Sequence, residues 1–231
     1  MKSNIYEIAN GIFRISVAPT DKFEFNHFLI VDEKCMLIHT GGKRIFDALH
    51  SIVSELIPLE KLQYIAFSHF ESDECGALNN WLKIAPNAIP ITNEIGKATM
   101  DDFSDKKAEI VNDNQIIDLG RNKIQILLTP HIPHGWESML FFEITNGILF
   151  SSDLGAQPGI NIPVTTENLS DRILKFQEEA GFIPKGENFK SVIERLRKLK
   201  INYLATMHGS TLKGDQITSL FENQIFIKQN L

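Results

Sequence analysis

Cysteine is scarce in this chain of 231 residues, which contains only Cys35 and Cys75. Two such widely separated cysteines exclude a disulfide framework and a C-x-x-C pair, and they are too few for a rubredoxin-type iron centre. The sequence therefore predicts a reduced, cytoplasmic setting.

Long apolar runs are also lacking. No stretch reaches the roughly 20 residues that a membrane-spanning helix needs. The first residues, 1–7, contain neither the apolar core nor the small-residue cleavage site of a signal peptide. We therefore expect no association with a membrane.

Positive charge is in the minority, since 23 Lys and Arg face 29 Asp and Glu and leave a formal net charge of -6. A surface that binds phosphates needs clustered cations. The densest cluster, residues 195–200, falls in a predicted helix, where a solvated face is the expected interpretation. Nucleic acid is therefore not an expected partner.

Low-complexity segments and internal repeats are absent, and we expect a single domain that spans residues 1–231. Alternating or continuous apolar runs predict strands at 11–17, 26–31, 35–38, 64–67, 88–91, 109–119, 123–128, 138–144, 148–151 and 203–206. Apolar residues at helical spacing predict helices at 45–56, 74–85, 166–179, 189–199 and 216–226. Each half can supply a sheet with helices outside it, so the expected fold class is α+β, with two facing sheets inside helical layers.

Residues 68–75 stand out from this ordinary background, because they read Ser-His-Phe-Glu-Ser-Asp-Glu-Cys directly after the predicted strand 64–67. Carboxylates that repel one another rarely gather so densely unless a cation neutralises them. Residues two apart in an extended segment project to the same side, so His69, Glu71 and Asp73 can face one cavity. A helix that starts at Glu74 would turn that carboxylate inward as well.

Three further candidates stand at or near the ends of predicted strands: His134, Asp153 and His208. Imidazole nitrogens and carboxylate oxygens both bind first-row metals, and no thiolate is required. His131, three residues before His134, competes with it for the same role. The sequence thus predicts a metal site assembled from loops at strand ends.

These motifs resemble the metallo-β-lactamase superfamily, and within it the di-iron domain of flavodiiron proteins and of stand-alone oxygen-binding di-iron proteins. The superfamily's usual first motif is H-x-H-x-D-H, and here it is H-x-E-x-D-E, with Glu71 at the position that marks the flavodiiron branch. The segment 134–138, His-Gly-Trp-Glu-Ser, is similar to that branch's histidine-tryptophan motif and favours His134 over His131. The resemblance implies a four-layer αββα sandwich.

The resemblance also implies a set of ligands. The first ion would take His69, Glu71 and His134, and the second would take Asp73 and His208. Asp153 and a water-derived oxygen would bridge the two ions. Glu74 replaces the histidine that ends the family motif and is the remaining candidate ligand of the second ion. Four carboxylates neutralise two divalent ions, and an oxygen-rich set favours iron or manganese over zinc.

Several residues near these ligands have two interpretations. His39 either supports a ligand through a hydrogen bond or is an ordinary buried histidine. His27 has an expected structural role near the metal pocket, and Cys75 is expected to be a small buried thiol. Trp136 either walls a substrate pocket or packs in the core.

The resemblance implies redox chemistry, in which two iron ions bind or reduce dioxygen or nitric oxide. Flavodiiron relatives usually receive electrons from a fused flavodoxin domain. We expect no such domain and no bound flavin here, so a separate flavoprotein or another reductase would supply the electrons. Reversible oxygen binding is a variant of this hypothesis, and a homodimer is compatible with it.

The alternative is a binuclear metallohydrolase that acts on a small-molecule substrate such as an ester, a thioester or a lactone. Typical hydrolases of this superfamily carry histidine where this chain has Glu71, which counts against hydrolysis. A third hypothesis is a metal-bound sensory module without turnover.

Overall fold

The computed structural model describes residues 1–181, 184 and 186–227, and its strands form two seven-stranded sheets. In spatial order the first sheet contains β1 (Lys2–Ala9), β2 (Ile12–Thr20), β3 (Phe23–Ile30), β4 (Cys35–Ile38), β5 (Leu62–Ala66), β6 (Ile89–Thr92) and β7 (Glu109–Ile110). The second contains β12 (Val164–Thr165), β14 (Thr211–Lys213), β13 (Tyr203–Thr206), β11 (Ile148–Ser152), β10 (Met139–Glu143), β9 (Lys123–Leu128) and β8 (Ile116–Asp118).

Each sheet combines hairpins with parallel crossovers. The first sheet runs antiparallel from β1 to β4 and parallel from β4 to β7. In the second sheet β8 to β11 are antiparallel, and β11 pairs in parallel with β13. The parallel pairs bring the ends of β4 and β5 to one edge of the first sheet and the ends of β11 and β13 to one edge of the second.

The part of the chain that the structure describes contains seven α-helices: α1 (Phe46–Leu56), α2 (Ser72–Cys75), α3 (Leu78–Ile84), α4 (Lys97–Phe103), α5 (Ser170–Ala180), α6 (Glu187–Leu196) and α7 (Gln216–Ile227). Short 3₁₀ turns precede α1 and β5. Among the described residues, no helix is both long and apolar enough to cross a membrane.

Three apolar cores separate four layers. Leu37 of β4 packs with Leu49 of α1 and Trp81 of α3 on the outer face of the first sheet. Phe28 and Phe150, from opposite sheets, lie in the core between the sheets. A third core packs the second sheet against α5, α6 and α7. The predicted α+β class and αββα sandwich are confirmed.

Alternation along the strands builds these layers. In β10, Met139 and Phe141 face the core between the sheets, whereas Leu140 and Phe142 face the outer helices. Both faces of the strand are therefore buried, and the strand is a nearly continuous apolar run.

Some elements differ from the sequence expectation. Strand β1 was not predicted, because its first six side chains are exposed at the edge of the sheet and its apolar residues do not alternate with polar ones. The predicted strand 109–119 is two short strands joined through residues 111–115. The predicted helix 74–85 is divided between α2 and α3, with a break at Gly76 and Ala77.

Candidate metal centre

Four predicted ligands meet in one group. A donor atom from each of His69, Glu71, His134 and Asp153 lies within 4.8 Å of the others. Glu71 Oε2 is 3.0 Å from His69 Nε2 and 2.8 Å from His134 Nε2. Asp153 Oδ2 lies 3.6 Å from the same two imidazole nitrogens. Two imidazoles and two carboxylates thus converge on one point.

A second group adjoins the first through Asp153. His208 Nε2 lies 3.2 Å from Asp153 Oδ1 and 3.3 Å from Asp73 Oδ2. The two oxygens of Asp153 therefore face different groups, with Oδ2 toward His69 and His134 and Oδ1 toward His208. A carboxylate in this position can bridge two ions.

Loops at strand ends place these side chains. His69 follows β5, and Glu71 immediately precedes α2, whose first turn carries Asp73. His134 lies in the loop between β9 and β10, and Asp153 and His208 follow β11 and β13. The sheets fix the ends of these loops, so residues that are distant in sequence share one cavity.

Glu137 connects two of these loops and was not identified from the sequence. Its buried carboxylate accepts a hydrogen bond from the backbone N–H of Phe70 at 2.8 Å, and its carbonyl accepts one from Asn93 Nδ2 at 2.6 Å. It thereby ties the loop that carries His134 to the loop that carries His69. The sequence feature that could have identified Glu137 is its position inside the segment 134–138, which also contains His134.

The imidazoles and carboxylates of the first group alter one another's pKa values. Hydrogen bonds from His134 and His69 hold the pKa of Glu71 well below its usual range. Burial opposes the charged form of His69, but the nearby carboxylates, Glu74 first among them, raise the pKa of His69 to about 9. A proton on His69 therefore offsets part of the negative charge of the carboxylates.

The second group behaves in the same way. Burial opposes protonation of His208, but hydrogen bonds to Asp153 and Asp73 raise the pKa of His208 to about 10. Burial alone would raise the pKa of Asp153, whereas its contacts with the imidazoles lower it below the usual value. A metal ion carries the positive charge that these protons supply, so its binding would displace them.

The donor set fits a pair of first-row metal ions. It contains only imidazole nitrogens and carboxylate oxygens, which bind iron, manganese and zinc. Asp73 Oδ1 is buried and has no hydrogen-bond partner among the described residues, although a buried carboxylate oxygen ordinarily has one. An ion beside Asp73 would satisfy this oxygen.

Glu74 lies behind His69 and outside the donor group. Its fully buried carboxylate accepts a hydrogen bond from the backbone N–H of Ser68 at 2.7 Å and contacts the hydroxyl of Ser152. Glu74 Oε1 is 3.9 Å from Nδ1 of His69, whereas the donor group faces Nε2. The structure thus gives Glu74 a supporting place next to a predicted ligand.

His39 and His27 extend this support. His39 Nε2 lies 3.5 Å from Glu74 Oε2, and its Nδ1 lies 3.1 Å from the carbonyl oxygen of Asn26. His27 Nδ1 lies 3.2 Å from the carbonyl oxygen of His39. Burial, with a smaller contribution from His39, lowers the pKa of His27 to about 3, so this ring is neutral.

The remaining candidates are not brought into the donor group. His131 is exposed on the loop, and Trp136 is 72% exposed, so packing of Trp136 in the core is excluded. Cys75 is buried and its Sγ donates to the carbonyl oxygen of Glu71 at 3.2 Å. Burial raises the pKa of the Cys75 thiol to about 12, so it is an unreactive thiol in this environment.

An apolar cavity of about 840 Å³ opens beside Glu71 and Asp73. Phe25 and Phe70 contribute aromatic surface, and Lys43 and Arg44 also line it. Cavities of about 300–1,000 Å³ are typical of sites for small organic molecules. Glu71 and Asp73 are therefore accessible from a cavity much larger than a diatomic gas requires.

Two facing sheets between helical layers, with imidazole and carboxylate donors on loops at strand ends, define a domain of the metallo-β-lactamase type with a candidate metal site. The chain belongs to the ODP family of beta-lactamases, and the match to this family covers residues 23–209. The family resemblance seen in the sequence motifs is confirmed.

Individual relatives agree with this assignment. An uncharacterised protein of Methanocaldococcus jannaschii is 31% identical over 167 residues, which cover 66% of this chain and 42% of that protein. A flavo-diiron protein of Clostridium acetobutylicum is 24% identical over 92% of this chain and 56% of its own length. The rubredoxin oxygen:oxidoreductase of Desulfovibrio gigas has the same fold, with a TM-score of 0.84 at 18% identity over 98% of this chain and 62% of that one.

The match to this chain covers between 34% and 56% of the length of three curated relatives.

Proposed function

We propose that this domain holds two iron ions and acts in redox chemistry on dioxygen or nitric oxide. The single observation that supports this most is the orientation of Asp153, whose two oxygens face two separate groups of donors. A single ion would use only one of these groups. Iron pairs supply one-electron and two-electron chemistry on small gases when bound in a protected site.

The nature of the donors supports iron over zinc. Glu71, Asp73 and Asp153 contribute three carboxylates to the two groups, and the imidazoles are His69, His134 and His208. Carboxylate oxygens suit iron and manganese, and Glu71 supplies one at the position where typical hydrolases of the superfamily carry histidine.

The chain's own residues prepare the site for ions. His69 Nε2 and His134 Nε2 give up any proton before they bind a cation. His208 keeps its proton on Nδ1, because this nitrogen faces the carbonyl oxygen of Glu24 at 2.9 Å and a carbonyl can only accept. A metal ion beside Asp153 and Asp73 would replace the proton on Nε2 of His208 and take the lone pair of this nitrogen. The burial of Asp153 and His208 keeps bulk water away from this half.

We also propose that a separate flavoprotein supplies the electrons. Curated relatives bear the names flavo-diiron protein and diflavin flavoprotein, which connect this domain type with flavin. The apolar cavity beside Glu71 gives a donor or a small reactant an approach to the site.

Metal analysis of anaerobically purified protein tests this proposal. We expect about two irons per chain and a visible absorption band that changes on exposure to air. Asp153→Ala should lose both ions, because the bridging carboxylate serves both groups, whereas Glu33→Ala, an exposed acid distant from the site, should retain them. Bound zinc without an oxygen-dependent band would contradict the redox function.

Binuclear hydrolysis is the second candidate, because the cavity of about 840 Å³ exceeds the needs of a diatomic gas. Its apolar lining suits the acyl part of an ester, a thioester or a lactone. A panel of such substrates, assayed with zinc-loaded and iron-loaded protein, separates the two functions. Turnover in the zinc form that Asp153→Ala abolishes would favour hydrolysis.

A further inference from the structure

A buried ion pair lies behind His208 and is not part of the metal donor group. Arg14 of β2 and Glu24 of β3 are 1% and 2% exposed, and Arg14 Nη2 lies 3.1 Å from Glu24 Oε1. Ser16 donates to Glu24 Oε2 at 2.6 Å, and the backbone N–H of Asn161 donates to Oε1 at 3.0 Å. Buried charges are costly even when paired, and hydrophobic replacements are often as stable. Stability alone therefore does not explain why Arg14 and Glu24 are paired at this buried position.

The first sheet donates to the turn that carries His208. Arg14 Nη2 donates to the carbonyl oxygen of Gly209 at 3.0 Å. Asn26 Nδ2 donates to the same oxygen at 2.8 Å and to the carbonyl oxygen of Thr206 at 2.9 Å. The backbone N–H of Asn26 also donates to the carbonyl oxygen of Met207 at 2.8 Å. Carbonyls on both sides of His208 are thus held by side chains of another sheet.

The imidazole itself is held from the same strand. The carbonyl oxygen of Glu24 accepts from His208 Nδ1 at 2.9 Å, and the rings of Phe23 and Phe25 lie 4.2 Å and 5.3 Å from the imidazole, centroid to centroid. This arrangement directs Nε2 toward Asp153. Partners that orient a metal-binding histidine typically change metal affinity 10–100-fold when removed.

We propose that Arg14, Glu24 and Asn26 form a latch that positions His208 for the second metal ion. The latch residues are positioning residues and bind no metal, and the inference rests on the proposed two-metal function. The distances place none of the latch side chains against His69, Glu71 or His134. The backbone carbonyl oxygen of Asn26 lies 3.1 Å from Nδ1 of His39, behind the first group, but the latch variants leave this carbonyl in place. Loss of the latch should therefore weaken one ion selectively.

Anaerobic titration with cobalt(II), followed by its visible absorption, tests the latch. The first variant is Arg14→Met/Glu24→Gln, which removes both charges together so that no charge is left buried alone. The second is Asn26→Leu, which removes both side-chain hydrogen bonds at similar volume. We expect the first cobalt to bind as in the wild type and the second to bind 10–100-fold more weakly. His208→Ala serves as the reference for loss of the second site.

Glu143→Gln is the matched control for stability. Glu143 is also fully buried, and its carboxylate accepts hydrogen bonds from the backbone N–H groups of Thr145 and Asn146 in a turn distant from the donor group. Thermal unfolding of all variants in the metal-free state shows which of them are comparably destabilised. At equal destabilisation, only the latch variants should lose the absorption of the second cobalt.

The outcomes separate the latch from the proposed function. Wild-type protein that binds fewer than two ions overturns the two-metal proposal and the latch together. Wild-type protein that binds two ions, with latch variants that bind two equally well, overturns the latch alone. Equal weakening of both cobalt ions in the latch variants also overturns it, because that pattern marks general destabilisation.

Discussion

Glu74 shows how far one residue's role depends on the direction of its side chain. It adjoins Asp73 in the first turn of α2, where successive residues point about 100° apart around the helix axis. Asp73 therefore reaches His208, while Glu74 turns toward Ser68 and the Nδ1 side of His69. The sequence showed four acidic and imidazole side chains in one loop. It did not show that Asp73 and Glu74, which lie in the helix, point to different sides.

Replacement of Glu74 tests its supporting role. Glu74→Gln keeps the shape and one acceptor for Ser68, but it removes the negative charge beside His69 and His39. We expect the variant to bind two metal ions per chain with affinity reduced about 10–100-fold, as is usual for a partner of a ligand. Metal titration and metal content after dialysis give the answer. Loss of one whole ion would instead assign Glu74 to the ligand set.

His27 should make the metal-free protein sensitive to acid. Burial lowers its pKa from 6.5 to about 3, so between these pH values the unfolded chain binds a proton that the folded chain does not. The free energy of unfolding therefore falls as the pH decreases through this window, by about 1.4 kcal/mol per pH unit for this group.

Urea unfolding of His27→Gln and wild type at several values between pH 6 and pH 4.5 measures this contribution. The variant has no imidazole at this position, so one proton fewer is taken up on unfolding. The slope of its unfolding free energy against pH should therefore be smaller by up to about 1.4 kcal/mol per pH unit. Identical slopes for the two proteins would show that His27 is protonated in the folded state.

At the scale of elements, interior strands followed their apolar patterns closely. The predicted strands 35–38, 123–128 and 203–206 have the bounds of β4, β9 and β13. Most side chains of these strands are buried, and their sequences are correspondingly rich in apolar residues. The two-residue strands β7 and β12 and the helix α4 carry few buried side chains, so their patterns are weak and tertiary contacts decide their conformation.

Phe150 of β11 tests the contact between the two sheets. It is 1% exposed, and its ring centroid lies 5.1 Å from that of Phe28 in the facing sheet. Phe150→Ala leaves a cavity between the sheets, and we expect a loss of about 3–5 kcal/mol in the free energy of unfolding. Ile116→Ala, at a position that is 53% exposed, should change it by less than about 0.5 kcal/mol. Denaturant unfolding curves compare the two, and similar costs would contradict the packing.

At the scale of the whole molecule, the site joins distant parts of the chain. Its candidate ligands follow β5 of the first sheet and β9, β11 and β13 of the second. The candidate ligands could be proposed from the sequence, because each lies in a short motif after an apolar run. Two contacts could not be predicted from the sequence, because they depend on how the sheets face each other. Asp153 connects the two donor groups, and Arg14 donates a hydrogen bond to Gly209, which is 195 residues away in the sequence.

Metal binding should therefore stabilise the molecule as a whole. The donors come from both sheets, and an unfolded chain does not hold them together, so the ions bind the folded state preferentially. At a free metal concentration about 1,000 times the dissociation constant, one site adds about 4 kcal/mol to the free energy of unfolding.

We expect anaerobic iron(II) to raise the midpoint of thermal unfolding and a chelator to reverse the increase. Asp153→Ala should lose most of the gain, because its carboxylate faces both donor groups. An equal gain in wild type and Asp153→Ala would place the stabilising ion elsewhere on the protein.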